Sequence, residues 1–338
     1  MSSKQLFCIG GIVLFVPMLF FGADAKGPQV PLGLLPIQFP KENPYSPEKV
    51  ELGKLLYFDK RLSSDNTVSC ASCHHPDHAF TDGEENSKGI RGQRGGRSAP
   101  TVLNRAYSLN QFWDGRAGTL EEQAKGPIQN PIEMGNTHEN VVKTLQGIAG
   151  YRSLFKNVFG TEAITIDHVA MAIATFERTV LSGNSPYDKF KAGNKKALSD
   201  AQARGLHVFQ GKAKCDQCHE GINFTTNAYH NLGVGTDKPT PDEGRFAVTK
   251  NPADWGTFKT PTLRDISRTG PYMHDGSLKT LDEVVDYYDK GGMPNKNLDE
   301  KMKKLNLNKE EKKDLVEFLK SLEGTSWQAI KEPTKFPE

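Results

Sequence analysis

The apolar and polar positions divide the chain before any chemistry is considered. One unbroken apolar run, LFCIGGIVLFVPMLFFG, occupies residues 6–22. It follows a short start whose one cation is Lys4, and it leads into Ala23-Asp24-Ala25. That order predicts a secretory signal cleaved after Ala25. The plainer alternative is a retained anchor helix, but the run is borderline in length for a span and Pro17 lies inside it. Beyond it the pattern is helical in short pieces. LGKLLYF (52–58) and RGLHVFQG (204–211) each predict a helix that carries a glycine and a phenylalanine. TLEEQ and TLDEV predict helix starts, with Thr119 and Thr280 as N-caps and an acid three residues on. Leu315, Val316, Phe318, Leu319 and Leu322 form the apolar stripe of a last, amphipathic helix, whose lysines face solvent. The final KEPTKFPE is expected to be loose. The fold class predicted is mainly α.

The 338 residues allow two domains of ordinary size. The expected division is a signal at 1–25, an extended segment at 26–44, a first domain at 45–190 and a second at 191–331. NKKALSDAQARG forms the link into the second. Net charge is +2, so the chain lacks the basic excess of a nucleic-acid binder.

Cysteine placement changes the picture. Cys8 falls in the apolar run and has no role. The other four form two pairs, CASCH and CDQCH, each followed by a histidine. A disulfide inside either pair closes only a tiny loop and stabilises little. A four-thiolate zinc site normally separates its pairs by about 15–20 residues. Here Cys215 follows Cys70 by 145 residues. A thioredoxin-like dithiol needs a βαβ pattern, and no strand alternation flanks either pair. Cys-x-x-Cys-His is the attachment signature of c-type haem, and it occurs twice in a chain predicted to be exported. Cys70, Cys73, Cys215 and Cys218 are therefore expected to hold two covalent haems, with His74 and His219 as proximal iron ligands. His75 and His78 read as polar loop residues.

Two attachment motifs imply a repeat. PTVLNRAYSLNQFWDGRAGTLEEQ and PTLRDISRTGPYMHDGSLKTLDEV align at a constant shift of 161 residues. Carried into the following helix, that register sets Tyr288 against Pro127. Tyrosine can ligate haem iron, whereas proline has no donor atom to offer. The second haem is then closed by His219 and Tyr288, with Met273 and Met293 as alternative ligands, and the first is open. An ordinary buried helix tyrosine is the bland reading. Glu133, in NPIEMGN, is placed to act as a general base for hydrogen peroxide, or is a surface glutamate. Gln123 precedes it by ten residues. Trp113, in FWDG, is either core or an electron relay.

FWDGRAGTLEEQAKGPIQNPIEM and FKTPTLRDISRTGPYMHDGSLKTLDEVV, with the two attachment motifs, resemble the bacterial dihaem cytochrome c peroxidase / MauG family over nearly all of 30–325. The resemblance implies two cytochrome-c-like helical domains with one haem each, a peroxidatic N-terminal haem and an electron-transfer C-terminal haem. It implies Glu133 as catalytic acid/base with Gln123 beside it, and Trp113 as the relay between haems. It also implies a periplasmic enzyme that reduces hydrogen peroxide with electrons from a small soluble cytochrome c or cupredoxin, and a homodimer would fit. A calcium ion between the domains would use the side chain of Ser98 and the carbonyls of Thr269 and Pro271. Two positions depart from the peroxidase pattern. Ile90 lies where a distal histidine is usual, and Tyr288 replaces a methionine. Both changes resemble the MauG branch, which oxidises tryptophans of a partner protein. Ala213 replaces the tryptophan that the MauG route uses, and Ser98 replaces an asparagine at the calcium. A pure electron carrier with two closed haems is a third reading.

Overall fold

The computed structural model describes residues 27–338, so the expected signal lies outside the described residues. The first unit contains α1 (Pro47–Phe58), α2 (Cys70–Cys73), α3 (Leu120–Gln129), α4 (His138–Gly147), α5 (Ala149–Phe159) and α6 (Ile166–Arg178). After α7 (Pro186–Lys191) come α8 (Asp200–Gln210), α9 (Phe246–Thr249), α10 (Leu281–Lys290) and α11 (Lys309–Lys320). The described strands are short: β1 (Tyr229–His230) pairs antiparallel with β2 (Phe258–Lys259). Mainly α is therefore the architecture.

Each unit is built on one helix crossing, and the crossing is repeated. α1 packs on α6 and α8 packs on α11. At the first crossing a Cβ on Gly53 would overlap the Ala172 carbonyl, and at the second a Cβ on Gly205 would overlap that of Asp314. Only glycine lets the two backbones approach this closely. An aromatic pair locks each crossing. Tyr57 meets Phe176 with ring centroids 5.1 Å apart, and Phe209 meets Phe318 at 5.0 Å. Two apolar cores result. Leu52, Leu56, Phe80, Val141, Tyr151 and Ile173 belong to the first, and Phe209, Phe224, Val285, Leu315, Phe318 and Leu322 to the second.

The shift of 161 seen in the sequence is a structural repeat. Thr119 accepts from the Glu122 amide and Thr280 from the Glu283 amide, and each starts a ten-residue helix. Upstream, Asn104 and Asp265 both adopt left-handed backbone, as do Phe112 and Met273. The bridges Gln111–Ala117 and Tyr272–Leu278 also correspond.

The ends of the chain differ from expectation. KEPTKFPE is not loose. Trp327 is buried in the first core, Ile330 and Phe336 pack against that core, and the Gly150 amide donates to the Glu338 carbonyl at 2.7 Å. The chain therefore leaves the second unit and returns to the first, because three apolar side chains in the tail find cover there. Tyr187 and Phe190 of α7, by contrast, pack on the second core. The segment after residue 26 runs between the units. Gly33 accepts from Arg264 at 3.1 Å, and Leu35 accepts from the Tyr107 hydroxyl at 2.6 Å.

Candidate haem centres

Each Cys-x-x-Cys-His motif brings two thiols and a histidine together in one short turn. Cys70 and Cys73 open and close α2, and Cys215 begins a 3-10 turn (Cys215–Gln217) that ends at Cys218. All four thiols are free. Burial raises Cys70, and it pushes Cys73 and Cys215 up to about 12. The histidine after each pair is anchored by one ring nitrogen. His74 Nδ1 lies 3.3 Å from the Phe80 carbonyl and His219 Nδ1 lies 3.0 Å from that of Phe224. Phe80 and Phe224 both have positive φ, which turns the chain back under the ring. With Nδ1 spent on a carbonyl, Nε2 is the nitrogen left for iron. Burial lowers both imidazoles, His219 to about 4, so each is neutral and able to ligate at neutral pH. The residues present therefore fit haem c. By contrast, His78 is exposed, and His75 accepts from the Asp77 amide at 3.2 Å in the same loop.

Beside the first pair stands Glu133. It sits in the turn after α3, where Asn130 Nδ2 donates to its Oε1 at 2.8 Å and the Ile90 amide donates to its carbonyl at 2.9 Å. Desolvation raises its pKa above the usual glutamate value, against the opposing pull of Arg116 and Asn130. Its charge acts on both Cys70 and Cys73, so the carboxyl lies close to the first attachment site. The same turn therefore brings together the carboxyl and Ile90, a buried apolar side chain in the loop without histidine. Gln123 lies on α3, one turn before Pro127, and no hydrogen bond joins it to Glu133 among the described residues.

The second pair opens onto a cavity of about 660 Å³, lined by Cys215, Cys218, His219 and Tyr288 among others. Burial, with the two cysteines adding to it, raises the Tyr288 phenol well above its ordinary value. Its hydroxyl has no protein hydrogen-bond partner among the described residues. Met273 also lines the cavity. Met293 stands against Gly233 instead. Ala213 is buried at the cavity wall and itself contributes only a methyl group there.

Trp113 is clamped between the units. Its Nε1 donates to the Ser98 carbonyl at 2.9 Å, and its own carbonyl accepts from the Lys259 amide at 2.7 Å. Ser98 in turn donates its amide to the His274 carbonyl at 2.8 Å. The indole also lines the second cavity.

The calcium expectation fares less well. Ser98, Thr269 and Pro271 do line the same cavity. Together they offer a hydroxyl and two carbonyls but no carboxylate, and hard cations usually draw on carboxylates. The acids beside Ser98 are already taken, because Arg97 binds Asp114 at 2.7 Å and Asp242 at 2.6 Å. The donor set fits calcium poorly.

Several buried charges escaped the sequence reading. Glu177 is buried, one of its oxygens has no partner, and burial raises its pKa to about 8. Lys259 is buried at the wall of the second cavity. His230 Nδ1 pairs with Asp299 at 2.6 Å, while its Nε2 lies 3.6 Å from Cys218. No motif marks these residues, since their surroundings are assembled from segments remote in sequence.

Comparison with known proteins agrees with this geometry. The family model described as di-haem cytochrome c peroxidase matches residues 47–196. The methylamine utilization protein MauG of Methylorubrum extorquens is 42% identical over 289 residues, covering 85% of this chain and 82% of that protein. The cytochrome c551 peroxidase of Nitrosomonas europaea is 43% identical over 287 residues, covering 83% of this chain and 81% of that protein. A solved MauG-like protein associated with microbial copper homeostasis superposes with a TM-score of 0.83 at 34% identity, covering 89% of this chain and 96% of its own. With paired thiols and an anchored histidine in each half of a duplicated helical fold, the chain belongs to the di-haem cytochrome c peroxidase family of oxidoreductases, in which MauG proteins are also found.

Proposed function

We propose that the chain is a periplasmic dihaem peroxidase that reduces hydrogen peroxide to water with electrons from a small soluble cytochrome c or cupredoxin. The observation that carries this reading is the half-buried Glu133 carboxyl beside the first attachment pair. A haem held by Cys70, Cys73 and His74 supplies the iron that accepts peroxide and the electrons that break its O–O bond. Pro127 would offer that site no ligand atom, whereas Tyr288 would be available to the second haem. Glu133, as carboxylate, takes the proton from one peroxide oxygen and gives it to the oxygen that leaves. With two electrons and two protons, each peroxide yields two waters. Trp113 bridges the units along the route the electrons take.

Around the mouth of the second cavity stand Lys212, Lys214, Lys301, Lys303 and Lys304, all exposed. Only Lys212 has an ion-pair partner among the described residues, Glu311. This rim favours a donor with an acidic face. The rate of donor oxidation is expected to fall steeply as salt rises, measured by stopped flow over a series of ionic strengths. A flat salt profile would remove the rim from the docking surface.

A second reading is a MauG-like oxidase that modifies tryptophans of a partner protein. Tyr288 and the loop carrying Ile90 favour it, whereas Ala213 at the cavity wall counts against it. The product separates the two: oxidised donor, or an altered tryptophan in the partner.

The central test adds one equivalent of hydrogen peroxide to the fully oxidised protein and follows the haem spectrum by stopped flow. An immediate change, without reductant, is expected for an open first site. A spectrum that stays unchanged until an electron is supplied would mean that a side chain closes that site at rest.

A further inference from the structure

The second cavity holds a cation with no counter-charge. Lys259 ends β2, is only 4% exposed, and lines the cavity together with Arg105. Its ammonium has no hydrogen-bond or ion-pair partner among the described residues, and the charged group acting on it is Arg105, a second cation. The Arg105 guanidinium donates from Nε to the Thr101 carbonyl at 2.7 Å and forms no direct ion pair among the described residues, although the buried Glu177 carboxyl and the His74 ring lie within reach of its charge. Burying an ammonium without an anion is costly, and a protein normally neutralises or pairs it. Burial, with Arg105 adding to it, pulls Lys259 down to about 7.

What belongs there is an anion, and the position of β2 says which. Two residues after Lys259, the Pro261 backbone lies close enough to the His219 ring to act on it. The strand therefore runs alongside the ring that binds the second iron. The anionic groups of haem are its two propionates. We propose that Lys259, with Arg105 behind it, binds a propionate carboxylate of the haem attached at Cys215 and Cys218. This rests on the reading of that cavity as a haem site. The contact is a charge-assisted hydrogen bond in a site sheltered from water, so it holds the propionate ionised and keeps Lys259 charged. The Lys259 amide also donates to the Trp113 carbonyl. One residue would thereby tie the second haem to the relay and place a positive charge at its propionate edge.

The experiment is a spectroelectrochemical titration of the haem-loaded protein and its variants. In Lys259→Met the second haem is expected to become harder to reduce by about tenfold in its oxidised-to-reduced ratio, about 59 mV for one electron. Its potential should also become pH-dependent across the neutral range, because the propionate now takes up a proton. Lys259→Arg should keep both the wild-type potential and its flat pH profile. If Lys259→Met does not fold, Arg105→Gln gives the same reading more weakly, and the wild-type potential should still be flat through neutral pH. A second-haem potential unmoved in Lys259→Met, or a wild-type potential that shifts when acetate is added, would overturn the assignment. Failure of the underlying haem reading looks different: a pyridine haemochrome assay would then find no second covalent haem in the wild-type protein.

Discussion

Glu133→Gln should lower peroxide turnover by about 10²- to 10⁴-fold while both haems stay attached. Glutamine keeps the size of the side chain and can still accept the Asn130 hydrogen bond, so the turn that carries it should hold. What it loses is the ability to take and return a proton. The pH profile gives a second readout. Glu133 works as a base in its carboxylate form, and desolvation raises its pKa. Activity should therefore fall as pH falls through that raised value, at a pH above the usual glutamate range. The small activity left in Glu133→Gln should lack this acid limb. Steady-state rates across pH, with a haem assay on each preparation, decide the matter. Undiminished turnover in the variant would return Glu133 to the status of an ordinary glutamate.

The largest stability effect is expected at Arg264. This side chain is 1% exposed, and its guanidinium grips Asp188 through two bonds of 2.9 Å. It also donates to the Ile222 carbonyl at 2.7 Å and to Gly33. Three separate stretches of chain therefore meet on one cation: the segment after residue 26, α7, and the loop after the second attachment motif. Arg264→Met strands a buried carboxylate, and removing one partner of such a pair costs about 3–5 kcal/mol. The urea midpoint of the haem-loaded protein, followed by circular dichroism, should drop accordingly. Arg264→Lys should recover only part of it, since an ammonium cannot reproduce the planar fork. An unfolding free energy within about 0.5 kcal/mol of wild type for Arg264→Met would show the pair to be dispensable.

Much of the site was legible because its chemistry is local. Residues that hold one porphyrin edge and its iron have to be sequence neighbours, so a motif such as Cys70, Cys73 and His74 can be read without the fold. The repeat was legible for a related reason. Thr119 and Thr280 cap their helices through residues three positions on, which is short-range chemistry that a constant shift preserves. Tyr288 and Pro127 inherit their comparison from that register.

Other features depended on groups far apart in sequence. Calcium was inferred from matched positions, and the structure showed that the acids beside Ser98 already belong to Arg97. The tail looked loose because it is short and rich in proline and lysine, yet Trp327, Ile330 and Phe336 cover the first core from the far end of the chain.

The sequence by itself determined the helical units, their duplication and the two Cys-x-x-Cys-His motifs, because each rests on contacts a few residues long. Only the tertiary structure decided where Glu133 sits, that Trp113 is clamped between the units, and that Lys259 lies buried without an anion. Those facts depend on which distant surfaces meet. A side chain's charge state follows from the water and partners it loses there, and no local pattern records that loss.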